Sequence, residues 1–96
     1  MPKAYVIFTE AIKDPSGMAE YTKPAAASIV ESGGSVVAVD QAPEVLEGAW
    51  HGNQTVILEF ESVDAARAWY NSDAYQKAVP LRQAAADTNA AIICAF

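Results

Sequence analysis

The segment from Thr55 to Phe60, TVILEF, sets the strongest limit on what this chain can fold into. In an extended strand, side chains alternate between faces, so Val56, Leu58 and Phe60 share one side, and Thr55, Ile57 and Glu59 the other. Both sides are largely apolar, and such a strand must be covered on both. Lys3 to Glu10 repeats the pattern, with Ala4, Val6 and Phe8 opposing Tyr5, Ile7 and Thr9, and reads as a second central strand. At 96 residues the chain makes a single domain over residues 1–96, because a second would leave neither with a core.

The remaining elements fall into place around these two strands. Asp14 is placed to cap a helix with Pro15 at its first position, and the helix runs to about Ser32 with Met18, Tyr21, Ala25 and Ile29 along one stripe. Pro24 removes a donor inside that helix and is expected to bend or restart it. Gly33 supplies a left-handed end, and Ser35 to Val39 is a β-branched strand. Glu44 to Glu47 reads as a short strand or ribbon, and Gly48 to Asn53 as a loop carrying Trp50 and His51. Ser62 and Ser72 are placed to cap two short helices, and Pro80 predicts a break near Val79 before a turn carrying Leu81 and Arg82. Asp87 to Asn89 reads as a turn, and Ala90 to Phe96 as a closing strand with Cys94 as a small buried residue. The order strand, helix, strand, strand, helix, strand is a split β-α-β arrangement with helices on one face of an antiparallel sheet. Nothing in the chain covers the other face, so the pattern predicts a homodimer related by a two-fold axis, burying roughly 1,600 Å² or more.

The run E-F-x-S-x-x-A-A-x-A-W-Y-N-S-x-x-Y, from Glu59 and Phe60 through Trp69, Tyr70, Asn71 and Ser72 to Tyr75, resembles the family named domain of unknown function 1330. The resemblance continues into Leu81, Arg82, Ala85 and Ala86, and upstream into Gly33, Gly34, the E-V-L-E-G segment from Glu44 to Gly48, and Trp50. It implies an α+β, ferredoxin-like fold that forms a dimeric α+β barrel, shared with small cofactor-independent oxygenases, decarboxylases and dechlorinases. The family pattern places an Arg followed by glycines where this chain has Asp40, Gln41 and Ala42, and a second Arg just before the central strand where it has Gln54. Two positive charges of the family pattern are therefore missing.

Composition excludes several functions. A net charge of −6, with six scattered basic residues, argues against nucleic acid, whose backbone demands clustered Lys and Arg. No apolar run is long enough for a membrane span, and the N-terminal MPKAYVIF has no signal-peptide pattern, which makes the cytoplasm the expected location. One cysteine allows no internal disulfide. No G-x-G-x-x-G, P-loop, G-x-S-x-G or C-x-x-C motif is present, and His51 with Glu44, Glu47 or Asp40 has no recognised ligand spacing, so neither cofactor nor metal is expected.

The candidate site is aromatic and acidic. Trp69, Tyr70, Tyr75, Trp50 and Tyr5, with His51 and Arg82, are the ligand-binding candidates, and Glu59 and Glu47 the candidate proton acceptors. Glu59 sits mid-strand, where desolvation would raise its pKa. Arg82, in a largely apolar helical stretch, needs a carboxylate, supplied by Glu59, by Asp73 or by a ligand. These residues predict a homodimer binding a small organic molecule, a carboxylate or an aromatic compound, with acid/base chemistry independent of cofactors. The alternative is a structural or interaction module whose aromatic residues are all core.

Overall fold

The computed structural model describes residues 2–96 as a four-stranded antiparallel sheet with four helices on one face. The order along the chain is β1 (Ala4–Ile12), α1 (Pro15–Glu31), β2 (Ser35–Asp40), β3 (Gln54–Phe60), α2 (Val63–Tyr70), α3 (Asp73–Gln76), α4 (Val79–Ala85) and β4 (Ala86–Cys94). Across the sheet the order is β2-β3-β1-β4, which puts the two doubly apolar strands side by side in the centre. This is the ferredoxin-like α+β fold.

Register assigns every side chain to a face. Ala4, Val6, Phe8 and Glu10 of β1 stand opposite Phe60, Leu58, Val56 and Gln54 of β3, and all eight turn toward the helices. Tyr5, Ile7 and Thr9 pair with Glu59, Ile57 and Thr55 on the face that carries no helix. The core therefore lies between sheet and helices, built from Val6, Phe8, Leu58 and Phe60 below and Met18, Tyr21, Ala25, Ile29, Trp69 and Tyr75 above. The Cα envelope measures 34 × 32 × 16 Å, the thickness of one sheet carrying one helix layer.

Local chemistry sets the element ends. The Ser62 and Ser72 hydroxyls accept from the Ala65 and Tyr75 amides, capping α2 and α3 at N···O distances of 3.0 and 3.2 Å. Gly33 adopts φ 77°, and the Gly34 amide donates back to Ile29, closing α1. Gly34 lies against the Phe60 ring, where no side chain would fit. Pro80 falls in the first turn of α4, which starts at Val79 as the sequence predicts.

Several expectations are corrected. Pro24 neither splits nor restarts α1, which is one element from Pro15 to Glu31, with Pro24 on its exposed side. Asp14 precedes α1 without capping it through its side chain; its carboxylate instead accepts from the Ser16 hydroxyl at 2.8 Å. Glu44 to Glu47 forms no strand and belongs to a non-regular segment, 41–53, in which Gly48 and Gly52 have φ of 76° and 82°. Asp87 to Asn89 is not a turn, because β4 begins at Ala86 and pairs with β1 from Ala86↔Ile12 to Cys94↔Ala4. Cys94 is exposed rather than buried.

Candidate functional site

The sequence candidates separate onto opposite faces of the sheet. On the open face, Glu59 meets the Lys3 ammonium at 3.4 Å, and the Trp50 indole N–H donates to Thr55 Oγ1 at 2.9 Å. His51 Nδ1 lies 2.9 Å from Thr9 Oγ1, with Asp87 3.7 Å from its Nε2. Tyr5 stands on this face opposite Glu59. Glu47 is exposed in the 41–53 segment.

On the helix face, Trp69, Tyr70 and Tyr75 form a packed cluster. Trp69 lies 4.1 Å from Tyr75 and 5.3 Å from Phe60 between ring centroids, and Tyr70 lies 5.5 Å from Tyr75. The Trp69 indole donates to Ser28 Oγ at 3.0 Å, and that hydroxyl donates to the Ala25 carbonyl at 2.7 Å, so neither buried polar group is orphaned. Trp69 and Tyr75 are wholly buried and fill space rather than line it.

The open space lies beside this cluster, beneath α1. A chamber of about 300 Å³ is walled by Phe8, Met18, Tyr21, Ala25, Ile29, Val36, Val39, Val56 and Leu58. Its walls are more aliphatic than the sequence suggested. Glu10 and Gln54 stand at one end, where the chamber meets an outer cleft lined by Ile12, Pro15, Ala19 and Asn53. Met18, Thr22, Gln41 and Gln54 border both spaces.

Glu10 is 2% exposed, and the Gln54 side-chain amide donates to its Oε1 at 2.8 Å. Burial raises its carboxyl pKa, against the opposing pull of the Gln54 hydrogen bond and the Arg82 charge. The backbone around it is clamped: the Asn53 amide donates to the Glu10 carbonyl at 2.8 Å, and Asn53 Oδ1 accepts from the Ile12 amide. Gly52, pressed against the Glu10 carbonyl, leaves no room for a side chain.

Arg82 is 6% exposed and pairs with neither Glu59 nor Asp73. Its guanidinium sits 5.6 Å from the Phe8 ring centroid, and its Nε has no hydrogen-bond partner among the described residues. Burial works against its charge, but the neighbouring Tyr75 and Tyr21 oxygens outweigh it, so Arg82 remains cationic. The Tyr21 and Tyr75 hydroxyls are 2.8 Å apart, and burial raises the pKa of both, so both stay protonated near neutrality.

Sequence reasoning missed Glu10, Tyr21 and Gln54 as site residues. The signal for Glu10 was available: it shares parity with Ala4, Val6 and Phe8, so it had to enter the covered face. No group of three or more His, Cys, Asp and Glu side chains gathers into a metal-binding arrangement among the described residues. Among the described residues, no helix is long and apolar enough to cross a membrane.

This fold recurs in solved structures. A protein of unknown function from Rhodopseudomonas palustris superimposes with a TM-score of 0.78 at 22% identity, covering 99% of this chain and 83% of that one. SnoaB, a cofactor-independent oxygenase from Streptomyces nogalater, gives 0.71 at 13% identity, with 100% and 95% coverage. A dimeric ferredoxin-like protein of unknown function from Bacteroides fragilis gives 0.65 at 10%, with 97% and 96% coverage. No curated protein matches the sequence. The family model described as domain of unknown function DUF1330 matches residues 3–96, and the chain belongs to that family.

Proposed function

We propose that this protein is a homodimer whose subunits each bind a small organic molecule in the chamber beneath α1, with Glu10 exchanging a proton with it. The observation that carries this reading is a carboxyl group buried at the end of an apolar chamber and held by a single neutral amide. A carboxyl costs free energy there, and a raised pKa suits it to give or take protons near neutral pH. Arg82 supplies the compensating positive charge from behind Phe8 rather than gripping a ligand carboxylate in the chamber.

The second copy answers the bare sheet face. Ile7, Ile57 and Tyr5 are only partly covered in one chain, and Val37 and Ile93 are about half exposed, at 54% and 46%. A partner stacked on this face would bury them, along with Trp50, His51 and Glu59, in a shared barrel. The Bacteroides fragilis neighbour, described as dimeric, supports this arrangement by analogy. The acids Glu59 and Glu47 would then serve the interface and the outer loop.

The test is native mass spectrometry of the purified protein and of Glu10→Gln. A dimer carrying extra mass is expected, with a ligand load that changes in Glu10→Gln. A monomer would remove the barrel. A dimer that takes up no small aromatic probe, with Glu10→Gln indistinguishable from wild type, would leave the purely structural reading, for which the solid packing of Trp69 and Tyr75 is the favouring observation.

A further inference from the structure

One titrating acid, Glu10, lines the chamber, and one permanent cation, Arg82, stands behind its Phe8 wall. Arg82, on α4, lies 5.6 Å from the Phe8 ring centroid, and its charge acts on the Tyr75 hydroxyl of α3. Tyr75 lies 2.8 Å from the Tyr21 hydroxyl of α1. Of these three groups only Tyr21 lines the chamber, as Glu10 does. No other charged side chain lines it: β2 and β3 contribute Val36, Val39, Val56, Leu58 and Gln54.

Either hydroxyl of the Tyr21–Tyr75 pair can be the donor, so the direction of their bond can follow what enters the chamber. An anion in the chamber can accept the Tyr21 proton while Tyr75 turns its own proton to Tyr21. Hydrogen bonds in such a pair polarise one another, and the nearby Arg82 charge favours an anion at the outer donor. Tyr21 cannot ionise in its place, because burial beside Tyr75 holds its proton firmly.

We infer that Tyr21 is the chamber's anion-stabilising donor, backed by Tyr75, and that the ligand is an uncharged oxygen acid of the phenol or enol class. This rests on reading the chamber as the ligand site. The charge balance selects the class. With Glu10 ionised, the Glu10–Arg82 pair sums to zero, so a neutral ligand enters without adding buried charge. The ligand O–H bond breaks, the Glu10 O–H bond forms, and the electron pair stays on the ligand oxygen. Negative charge has then moved from Glu10 to the ligand, the sum is still zero, and Tyr21 donates to the new anion. An enolisable ketone follows the same balance, with a C–H bond breaking and the pair delocalising onto oxygen. No oxidant or reductant enters.

The test uses p-nitrophenol, whose absorption moves to longer wavelength when it ionises, and 4-nitroanisole, an ether of similar shape with no proton to lose. The wild-type protein is expected to bind p-nitrophenol as the anion at a pH where the free compound is mostly neutral. Tyr21→Phe is expected to weaken that binding by about tenfold or more, the usual loss for a hydrogen bond to a charged group, while 4-nitroanisole binds unchanged. Tyr75→Phe, which leaves the Tyr21 hydroxyl in place, should weaken the anion band by less. Glu10→Gln should still bind the anion but release its proton to solvent, measurable with a pH indicator in weak buffer. Binding of both compounds with no anion band, or a Tyr21→Phe variant equal to wild type, overturns the role given to Tyr21. Failure of both compounds to bind overturns the chamber as the ligand site, and this inference with it.

Discussion

Trp69 donates its indole N–H to Ser28 while its ring meets Phe8, Phe60, Tyr70 and Tyr75, so no neighbour can move in if it is removed. Trp69→Ala should therefore cost about 3–5 kcal/mol of stability, read from a urea melt, because the cavity left behind cannot collapse. Gly52 makes a sharper case at a smaller residue. Its φ of 82° is one L side chains rarely adopt, and a Cβ there would strike the Glu10 carbonyl. Gly52→Ala should lose about 1–3 kcal/mol and disturb the chamber end together with the loop. Glu10 gives stability a pH signature. Its folded-state pKa lies above the ordinary 4.5, so below that value both folded and unfolded chains hold the proton and the group contributes nothing. As pH rises through the window above 4.5, the unfolded chain ionises first, and the folded state loses relative stability until its own raised pKa is passed. Glu10→Gln lacks this slope. The gap between the two melting midpoints should widen in favour of the variant from pH 4 to pH 7, and a constant gap would show that Glu10 is not held in this way.

At the scale of elements, short helices depend on their first turns. Ser62→Ala and Ser72→Ala should each cost about 1 kcal/mol in denaturant unfolding, with Ser72 the costlier because its hydroxyl also donates to the Trp69 carbonyl. These caps, the two central strands, the Gly33 helix end and the Pro80 start of α4 were all legible in the sequence, because each depends on chemistry within a few residues. What was not legible depended on distant partners. Asp87, Thr88 and Asn89 have turn-like preferences, yet pairing with Ala11, Glu10 and Thr9 holds them extended. Glu44 to Glu47 has strand-like residues but finds no neighbouring edge to pair with. The candidate site suffered most. The aromatic run drew attention to Trp69 and Tyr75, which turn out to be packing, while Tyr21 looked like one more member of a helix stripe. Glu10 looked like the end of a strand, and only the register with Gln54 and the cover of α1 show that it is enclosed.

The whole molecule is half of a sandwich. With a thickness of 16 Å, it has a helix layer on one side and bare β-sheet on the other, and the bare side carries Ile7, Ile57 and Ile93 in neighbouring strands. Ile57→Asp places a charge at the centre of that surface without touching the helix face. It is expected to shift the protein from dimer to monomer in sedimentation equilibrium, and an unchanged mass would remove the surface from the interface. Membership of the DUF1330 family and a fold shared with SnoaB give the same architecture, and in this chain the neutral amides Gln41 and Gln54 border the chamber mouth.

Thr9 and Glu10 are consecutive residues that answer to different compartments, one meeting His51 on the open face and the other meeting Gln54 under the helices. Since a strand alternates strictly, adding or deleting one residue upstream within β1 would exchange them, sending the acid to the open face and the hydroxyl into the chamber. The length of β1 is thus locked by two requirements at once. The 41–53 segment, outside the ladder, is free to lengthen or shorten so long as His51, Gly52 and Gln54 keep their seats. Variation among related chains should accordingly accumulate in that loop, with β1 kept to a fixed count.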